Sequence, residues 1–313
     1  MFSKIIEEDD SLKFSISKDA SKSIVSGIRR TALSNILNVA FDQIEFKKNS
    51  TSLHNEFLSH RIGLIPVTIE NIDEYEKYTF ELKVNSSDHK SGFVNTDDIK
   101  VYKDDNEISE NEKKKMFIQK PNPILITRFP KIIQNEIQEI DVKFKLKQGF
   151  GAKNSKFATT TVCTSVAEKD EYKFMLETVG LVSCKKIVND SFDVLINMLK
   201  DMHQKLNDFK ITVTPIDNFK GLEIIFNRHS STTGFIVQEK MYNKFYNVDR
   251  PAISHISYHE THPLENKLAI RIKLVDNIDD IDEYKSKSMD LLTEAIDASI
   301  KEVEDLKDKF PKN

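Results

Sequence analysis

The sequence predicts an α+β fold: two units, each a sheet with long helices, paired within one chain, and a β-rich domain inserted into the first. Three observations carry this. Strand, helix, further strands and a long closing helix occur in the same order in both halves. The segments 184–206 and 280–310 are amphipathic over many turns, and each presents an apolar stripe that is not stable in water without a partner. The stretch 53–169 instead breaks into short alternating runs separated by polar turns. The economical solution packs the helices of one half on those of the other, a pseudo-twofold pairing written on one polypeptide. The expected boundaries are 1–52 plus 170–208 for the first unit, 53–169 for the insert and 209–313 for the second unit.

Taken in order, "LKFSIS" at 12–17 alternates and reads as a strand. In the following "KDASKSIVSGIRRTALSNIL", Asp19 or Ser21 can cap a helix, and Ile24, Ile28, Ala32 and Ile36 recur every four residues. Val25, Leu33 and Leu37 widen that stripe, and Arg29 and Arg30 lie near its middle. "VAFDQIEFKK" at 39–48 alternates as a strand. A short helix is expected from about Leu53 to His60, then an extended run before Pro66. Further strands are expected at 78–84, 98–102, 122–129 and 139–149. Between them, "KDDNEISENEKKK" at 103–115 has few apolar residues and reads as a solvated loop or disordered tip. "QGFGAKNSKF" at 148–157 lacks the strand–loop–helix grammar of a phosphate cradle and reads as a turn flanked by lysines.

A strand at 171–180 ends at Gly180, and the helix at 184–206 carries Ile187, Val188, Phe192, Leu195, Ile196, Leu199 and Met202 on one side. The second half then gives a strand at 221–226, a capped helix at 230–245 and two strands within 253–275 around a turn at Pro263. In the last helix Met289, Leu292, Ile296, Val303, Leu306 and Phe310 fall on heptad a/d spacing, Ser299 is the gap, and Pro311 ends the run. The residues expected to meet in the pairing seam are Ile28, Ala32, Ile36, Phe192, Leu195, Leu199, Leu292, Ile296, Val303 and Leu306.

Composition narrows the function classes. Of 313 residues, 39% are hydrophobic and 31% charged, as in a globular protein with a true core and a charged surface. The net charge of -4 argues against a free-standing nucleic-acid binder, which carries a basic excess. Cys163 and Cys184 are the two cysteines, without CxxC spacing, so a disulfide framework and a cysteine-rich zinc site are excluded. "MFSKIIEEDD" lacks the apolar run of a signal peptide, and no window approaches the roughly 20 apolar residues of a membrane span. A soluble, intracellular chain is expected.

His54, Glu56 and His60 crowd into "NSTSLHNEFLSHRIGLIP", but His-x5-His does not place two imidazoles one helical turn apart. The residues alone describe a polar rim around Phe57, Leu58, Ile62 and Leu64. His255 and His259 share one strand face, whereas His262 precedes Pro263 and points elsewhere. A metal-dependent protein using that strand, a free-standing nucleic-acid binder and a partly exposed strand face remain open readings. Arg29 or Arg30 can lie over the apolar stripe with its charge in water. Asp276, Asp279, Asp280, Asp282 and Glu283 suit a loop and a helix N-terminus, where negative charge is favourable. No nucleophile–base or paired-carboxylate arrangement stands out, so neither a catalytic residue nor a metal ligand is predicted.

The stretch "SGIRRTALSNILNVAFDQIEFKKNSTSLHNEFLSHRIGLIPV" resembles the signature of the alpha-like assembly subunits of multisubunit RNA polymerases. The family's Leu-Arg-Arg helix is matched by Ile28-Arg29-Arg30, its alternating strand by Gln43 to Lys47, and its Asp/Asn-Glu-Phe by Asn55-Glu56-Phe57. His60-Arg61 and Gly63 to Pro66 complete the pattern, and "KQGFGAKNSKF" is similar to the family's glycine turn. The segment 253–274, with its His-Pro-Leu, and the long final helix resemble the small partner, the eleventh-largest subunit of RNA polymerase II. The first half resembles the third-largest. Ser231 and Gln238 depart from that pattern, where the family has His and Arg, and the family's four-cysteine zinc loop has no counterpart.

A single chain that joins both partners is similar to what some large cytoplasmic DNA viruses encode. The resemblance implies two alpha-type dimerisation units paired as an intramolecular pseudo-heterodimer. It implies a non-catalytic assembly subunit of a DNA-directed RNA polymerase that binds no cofactor itself. Its partners would be two large subunits, which hold the catalytic magnesium, and small zinc-bearing subunits, with little nucleic-acid contact and no membrane. The expected location is host cytoplasm or virion for a viral chain, or the nucleus. The residues expected to face the large subunits are Arg29, Arg30, Glu56, Phe57, His60 and Arg61, with Arg61 suited to a bidentate contact to a carboxylate.

Overall fold

The computed structural model describes residues 1–311 except 88, 90, 91, 119–121, 130–136, 217–219 and 263. In chain order its elements are β1 (Phe2–Glu8), β2 (Ser11–Ser17), α1 (Lys22–Ser34), β3 (Leu37–Asn49), α2 (Asn55–Gly63), β4 (Tyr78–Asn85) and β5 (Phe93–Asn95). Next come β6 (Ile99–Lys103), β7 (Asn106–Glu107), α3 (Glu110–Met116), β8 (Leu125–Arg128), β9 (Glu139–Phe150), β10 (Thr160–Ala167) and β11 (Glu171–Thr178). The remainder is α4 (Cys184–Asn207), β12 (Thr212–Ile216), β13 (Gly221–Asn227), α5 (Ser231–Met241), β14 (Ile253–Glu260), β15 (Lys267–Leu274) and α6 (Ile281–Lys309). This is a mixed α+β chain of antiparallel sheets and helices. It divides into two compact units, one of Met1–Ala32, Val162–Glu177 and Cys184–Asn313, the other of Leu33–Thr161 and Thr178–Ser183.

The first unit contains α1, α4, α5 and α6, with sheets ordered β1-β2-β11-β10 and β12-β13-β15-β14. Asp280 starts α6 by accepting the backbone N–H of Asp282 at 2.8 Å, so the acidic run serves the helix N-terminus. α6 packs against α4 and α5. Leu292, Ile296, Val303 and Leu306 of α6 and Phe192, Leu195 and Leu199 of α4 are fully buried. Each such side chain contributes about 1.5–3 kcal/mol relative to exposure, so the helices hold together through this apolar contact. Ser299, the gap in the heptad pattern, is buried and donates its hydroxyl to Ala295 of its own helix at 2.7 Å.

Phe310, at the end of α6, inserts among the rings of Phe2, Phe14 and Phe192, with centroids 5.2, 5.5 and 6.0 Å away. The last aromatic residue is thereby anchored on the first sheet and α4. On α1, Gly27 lets the backbone come close: a Cβ there would lie 3.1 Å from Ile236 of α5 and 3.3 Å from Leu195 of α4. A polar clasp accompanies these contacts. Glu302 accepts the Ser21 N–H at 2.9 Å and its hydroxyl at 3.0 Å and pairs with Lys240, while Glu239 accepts the Ser23 N–H at 2.8 Å. Orphan donors at the start of α1 are satisfied by carboxylates from α6 and α5.

The second unit is built on a five-stranded sheet, β3-β9-β4-β6-β7, with β5 and β8 as a separate pair. Phe41, Phe80 and Phe144 centre its core, with Phe41 4.8 Å from each of the others. The sheet's polar face is neutralised across strands by Lys143–Glu81 at 3.4 Å, Lys83–Asp141 at 3.6 Å and Lys147–Asp42 at 3.7 Å. The lysines of these pairs are solvent-exposed, so each pair is worth about 0–1 kcal/mol.

Several expectations need correction. β3 pairs along its length with β9, from Leu37↔Phe150 to Asn49↔Ile140, so the observed division between units falls at Leu33 rather than residue 52. The buried residues Val39 and Phe41 draw this strand into the second unit's core. α1 ends at Ser34, whose carbonyl accepts the Ala152 N–H at 2.8 Å. Ile36 is therefore buried beyond the helix, in the second unit, and does not belong to a pairing helix; Leu33 and Leu37 are 38% and 37% exposed. The supposed loop at 103–115 holds β7 and α3, started by a Ser109/Glu112 capping box. There Lys113 is buried, donating to the Asp97 carbonyl at 2.7 Å. β1, β10 and β12 lie in segments without a predicted strand. The capped helix of the second half stops at Met241 and passes into a π-helical turn at Tyr242–Tyr246. Pro263 lies outside the described residues.

Candidate partner interface

α2 is a nine-residue helix with two unlike faces. Leu58, Ile62 and Gly63 are buried, tying one face to the second unit's core. Glu56, Phe57, His60 and Arg61 are exposed on the other, and Leu64 follows at 46% exposed. Phe57 is 64% exposed, an aromatic ring given to solvent on an ordered helix. Aromatic and aliphatic side chains interleaved with charged ones are the composition of protein-contact surfaces.

Arg61 has a second employment. Its Nε donates to the Ile126 carbonyl at 2.8 Å and its Nη2 to the Leu125 carbonyl at 2.9 Å. β8 pairs with β5 in a two-stranded sheet, and this guanidinium satisfies two successive backbone carbonyls of β8. The planar fork expected to meet a partner carboxylate is thus engaged within the chain, where it fixes α2 against β8.

Arg29 is half-buried and Arg30 exposed on α1. Arg30 Nη1 donates to the hydroxyls of Ser231 at 3.1 Å and Thr232 at 3.4 Å, at the first turn of α5. This contact links the first and second halves of the chain. Arg29 lies near Cys163, whose thiol burial pushes up to about 12, an effect the Arg29 charge only partly offsets. That cysteine is a packing residue without thiolate character at neutral pH. Of the ten residues expected in the seam, Ile28, Ala32, Phe192, Leu195, Leu199, Leu292, Ile296, Val303 and Leu306 are buried on helices of the first unit, and Ile36 is not on a helix.

The histidines do not converge. His255 Nε2 lies 3.0 Å from the Ser257 hydroxyl, and His259 lies 3.7 Å from Glu223, which also accepts from Arg271 at 2.8 Å. His262 Nδ1 accepts the Leu264 N–H at 3.2 Å. Among the described residues no group of three or more His, Cys, Asp or Glu is placed to hold a metal ion, and no helix is long and apolar enough to cross a membrane.

One arrangement escaped the sequence reading. Lys156, in the turn after β9, donates to the Phe41 carbonyl at 3.1 Å and to Asp42 Oδ2 at 3.0 Å. Cavities of about 330, 400 and 550 Å³ adjoin at this lysine. The partners are distant in sequence, so no local spacing announces them.

Fold and surface together define a mixed α+β chain whose most distinctive exposed features suit contact with other proteins. No protein-family model matches the chain. It is similar to the DNA-directed RNA polymerase subunit Rpo3 of Methanocaldococcus jannaschii, 26% identical over 196 residues, which is 62% of this chain and 90% of that protein. Against the Rpo3 subunit of Methanobrevibacter smithii it is 27% identical over 159 residues, 50% of this chain and 54% of the relative. Against subunit 3 of the DNA-directed RNA polymerases II, IV and V of Arabidopsis thaliana it is 40% identical over 63 residues, 20% and 19% of the two chains. These relatives are subunits of DNA-directed RNA polymerases.

Proposed function

We propose that this chain is a non-catalytic assembly subunit of a DNA-directed RNA polymerase. The observation that carries the reading is its similarity along 90% of the Methanocaldococcus Rpo3 subunit. In this reading the chain unites an alpha-like subunit with its small partner as an intramolecular pseudo-heterodimer. The packing of α6 on α4 and α5, and the seating of Phe310 among Phe2, Phe14 and Phe192, support it. Joining the halves covalently sets their effective concentration at about millimolar and their ratio at one to one. The outer face of α2, with Glu56, Phe57 and His60, and the Arg29–Arg30 surface of α1 receive the two large subunits, which hold the catalytic magnesium. Small zinc-bearing subunits dock nearby. A chain of this kind works inside the cell, in the host cytoplasm or the virion where the genome is viral.

The test is recovery of the large subunits on the tagged full chain. Phe57→Asp replaces an exposed ring, so the protein is expected to melt unchanged while recovery falls at least fivefold. Full recovery with the variant overturns the assignment of the α2 face.

A further inference from the structure

We propose that the surface around Lys156 is a docking groove for a partner segment that carries a carboxylate beside apolar side chains. The inference rests on the polymerase reading for the partner's identity and adds the chemistry of one contact. Three adjoining cavities share Lys156 in their walls. Leu64 stands between the first two and Leu37 lines the third, and both are more than one-third exposed. A folded chain leaves scattered leucines at its surface, but two flanking a concave, partly polar site form an apolar rim awaiting cover.

The electrostatics select the occupant. Lys147, Lys153 and Lys156 line the groove against one carboxylate, Asp42. Asp42 is already spent: Oδ1 accepts the Gln43 N–H at 2.8 Å, and Oδ2 meets Lys156 at 3.0 Å and Lys147 at 3.7 Å. Burial would raise its pKa, but the Gln43 N–H and the Lys156 ammonium hold it below the usual range, so it stays ionised and keeps Lys156 in place. The Lys156 ammonium donates to the Phe41 carbonyl and to Asp42 and lies 5.2 Å from the centre of the Phe157 ring, while Lys147 is exposed. Lys153 is exposed, and among the described residues no carboxylate lies within ion-pair distance of it. The groove thus carries a cationic excess in a concave setting, where charge complementarity is strongest. A nucleic-acid backbone shares the negative charge but offers no aliphatic side chain to Leu37 and Leu64, so the walls favour a peptide segment with an acidic residue between apolar ones.

The experiment uses the full chain assembled with its two large polymerase subunits and treated with a zero-length carbodiimide, which joins an amine only to a carboxylate in contact. Mass spectrometry is expected to find Lys147, Lys153 or Lys156 joined to an Asp or Glu of a large subunit within an apolar peptide. Lys147→Glu with Lys153→Glu should melt like the parent and lower recovery on the order of tenfold. A complex that forms and cross-links elsewhere, with the double variant recovered normally, overturns the groove while leaving the polymerase reading intact. Failure of any complex to form overturns both. Salt-dependent binding of a single-stranded oligonucleotide, abolished in the double variant, would assign the groove to phosphate instead.

Discussion

The α4–α6 seam and the outer face of α2 are both helix surfaces that carry apolar side chains, yet the chain treats them oppositely. In the first unit every a/d side chain from Leu292 to Leu306 is buried, and Ser299 bonds to its own helix rather than admit water. In the second unit α2 buries Leu58 and Ile62 but leaves Phe57 and His60 outside. One surface is closed by the chain itself. The other is folded, fixed in place by Arg61, and uncovered. The lesson is that burial within the chain separates what makes it fold from what is left for a partner.

The largest expected effect breaks the closed surface. Ile296→Asp places an unpaired charge where no water reaches, at a cost of several kcal/mol. Total stabilities are only about 5–15 kcal/mol, so the cooperative melting transition should be lost or fall steeply. A normal transition would mean that the seam is not where the stability lies. Phe310→Ala tests the same surface at its end. Removing this ring should cost about 3–5 kcal/mol in denaturant unfolding, because Phe2, Phe14 and Phe192 would face a cavity.

The polar clasp gives a smaller, pH-dependent effect. Burial raises the Glu302 pKa, but the bonds from Lys240 and Ser21 outweigh it and leave the carboxyl below its ordinary value of 4.5. Its contribution is therefore complete above pH 4.5 and lost as pH falls through the depressed folded-state value. Glu302→Gln should cost about 1.5–3 kcal/mol at pH 7, with the gap from the parent closing in acid. His229 adds a second acid-sensitive term. Burial and then Lys205 push its pKa to about 4 from 6.5, against the attraction of Asp201 at 3.1 Å. The folded state resists protonating it, so stability should decline as pH falls from 6.5 towards 4, and His229→Gln should flatten that slope. The smallest effect on folding belongs to the open surface: Phe57→Asp should shift stability by no more than about 0.5 kcal/mol.

What the sequence made legible follows from the same contrast. α4 and α6 could be read because one period persists over many turns; in α6 burial falls on Leu292, Ile296, Ser299, Val303 and Leu306, while Met289 at the start of the series is only half-buried. The sequence predicts a longer α1 because Ile36 and Leu37 continue its period, although the chain turns at Ser34 to bond Ala152. β1 was illegible because it is an exposed, acidic edge strand without an alternating apolar face. The capping box at Ser109 was present but outweighed by the charge around it. At the candidate interface, motif resemblance singled out Phe57 and His60, and both are exposed on α2. It did not foresee that the Arg61 fork would serve carbonyls 64 and 65 residues away, nor that Lys156 would find acceptors 114 and 115 residues back. Long-range partners of polar side chains leave no periodic trace.

The most direct measurement is affinity purification of the tagged full chain from the cells that make it, with mass spectrometry of everything that accompanies it. Two large polymerase subunits in stoichiometric amounts are the expected result. A chain that purifies alone, or with proteins unrelated to transcription, would contradict the account.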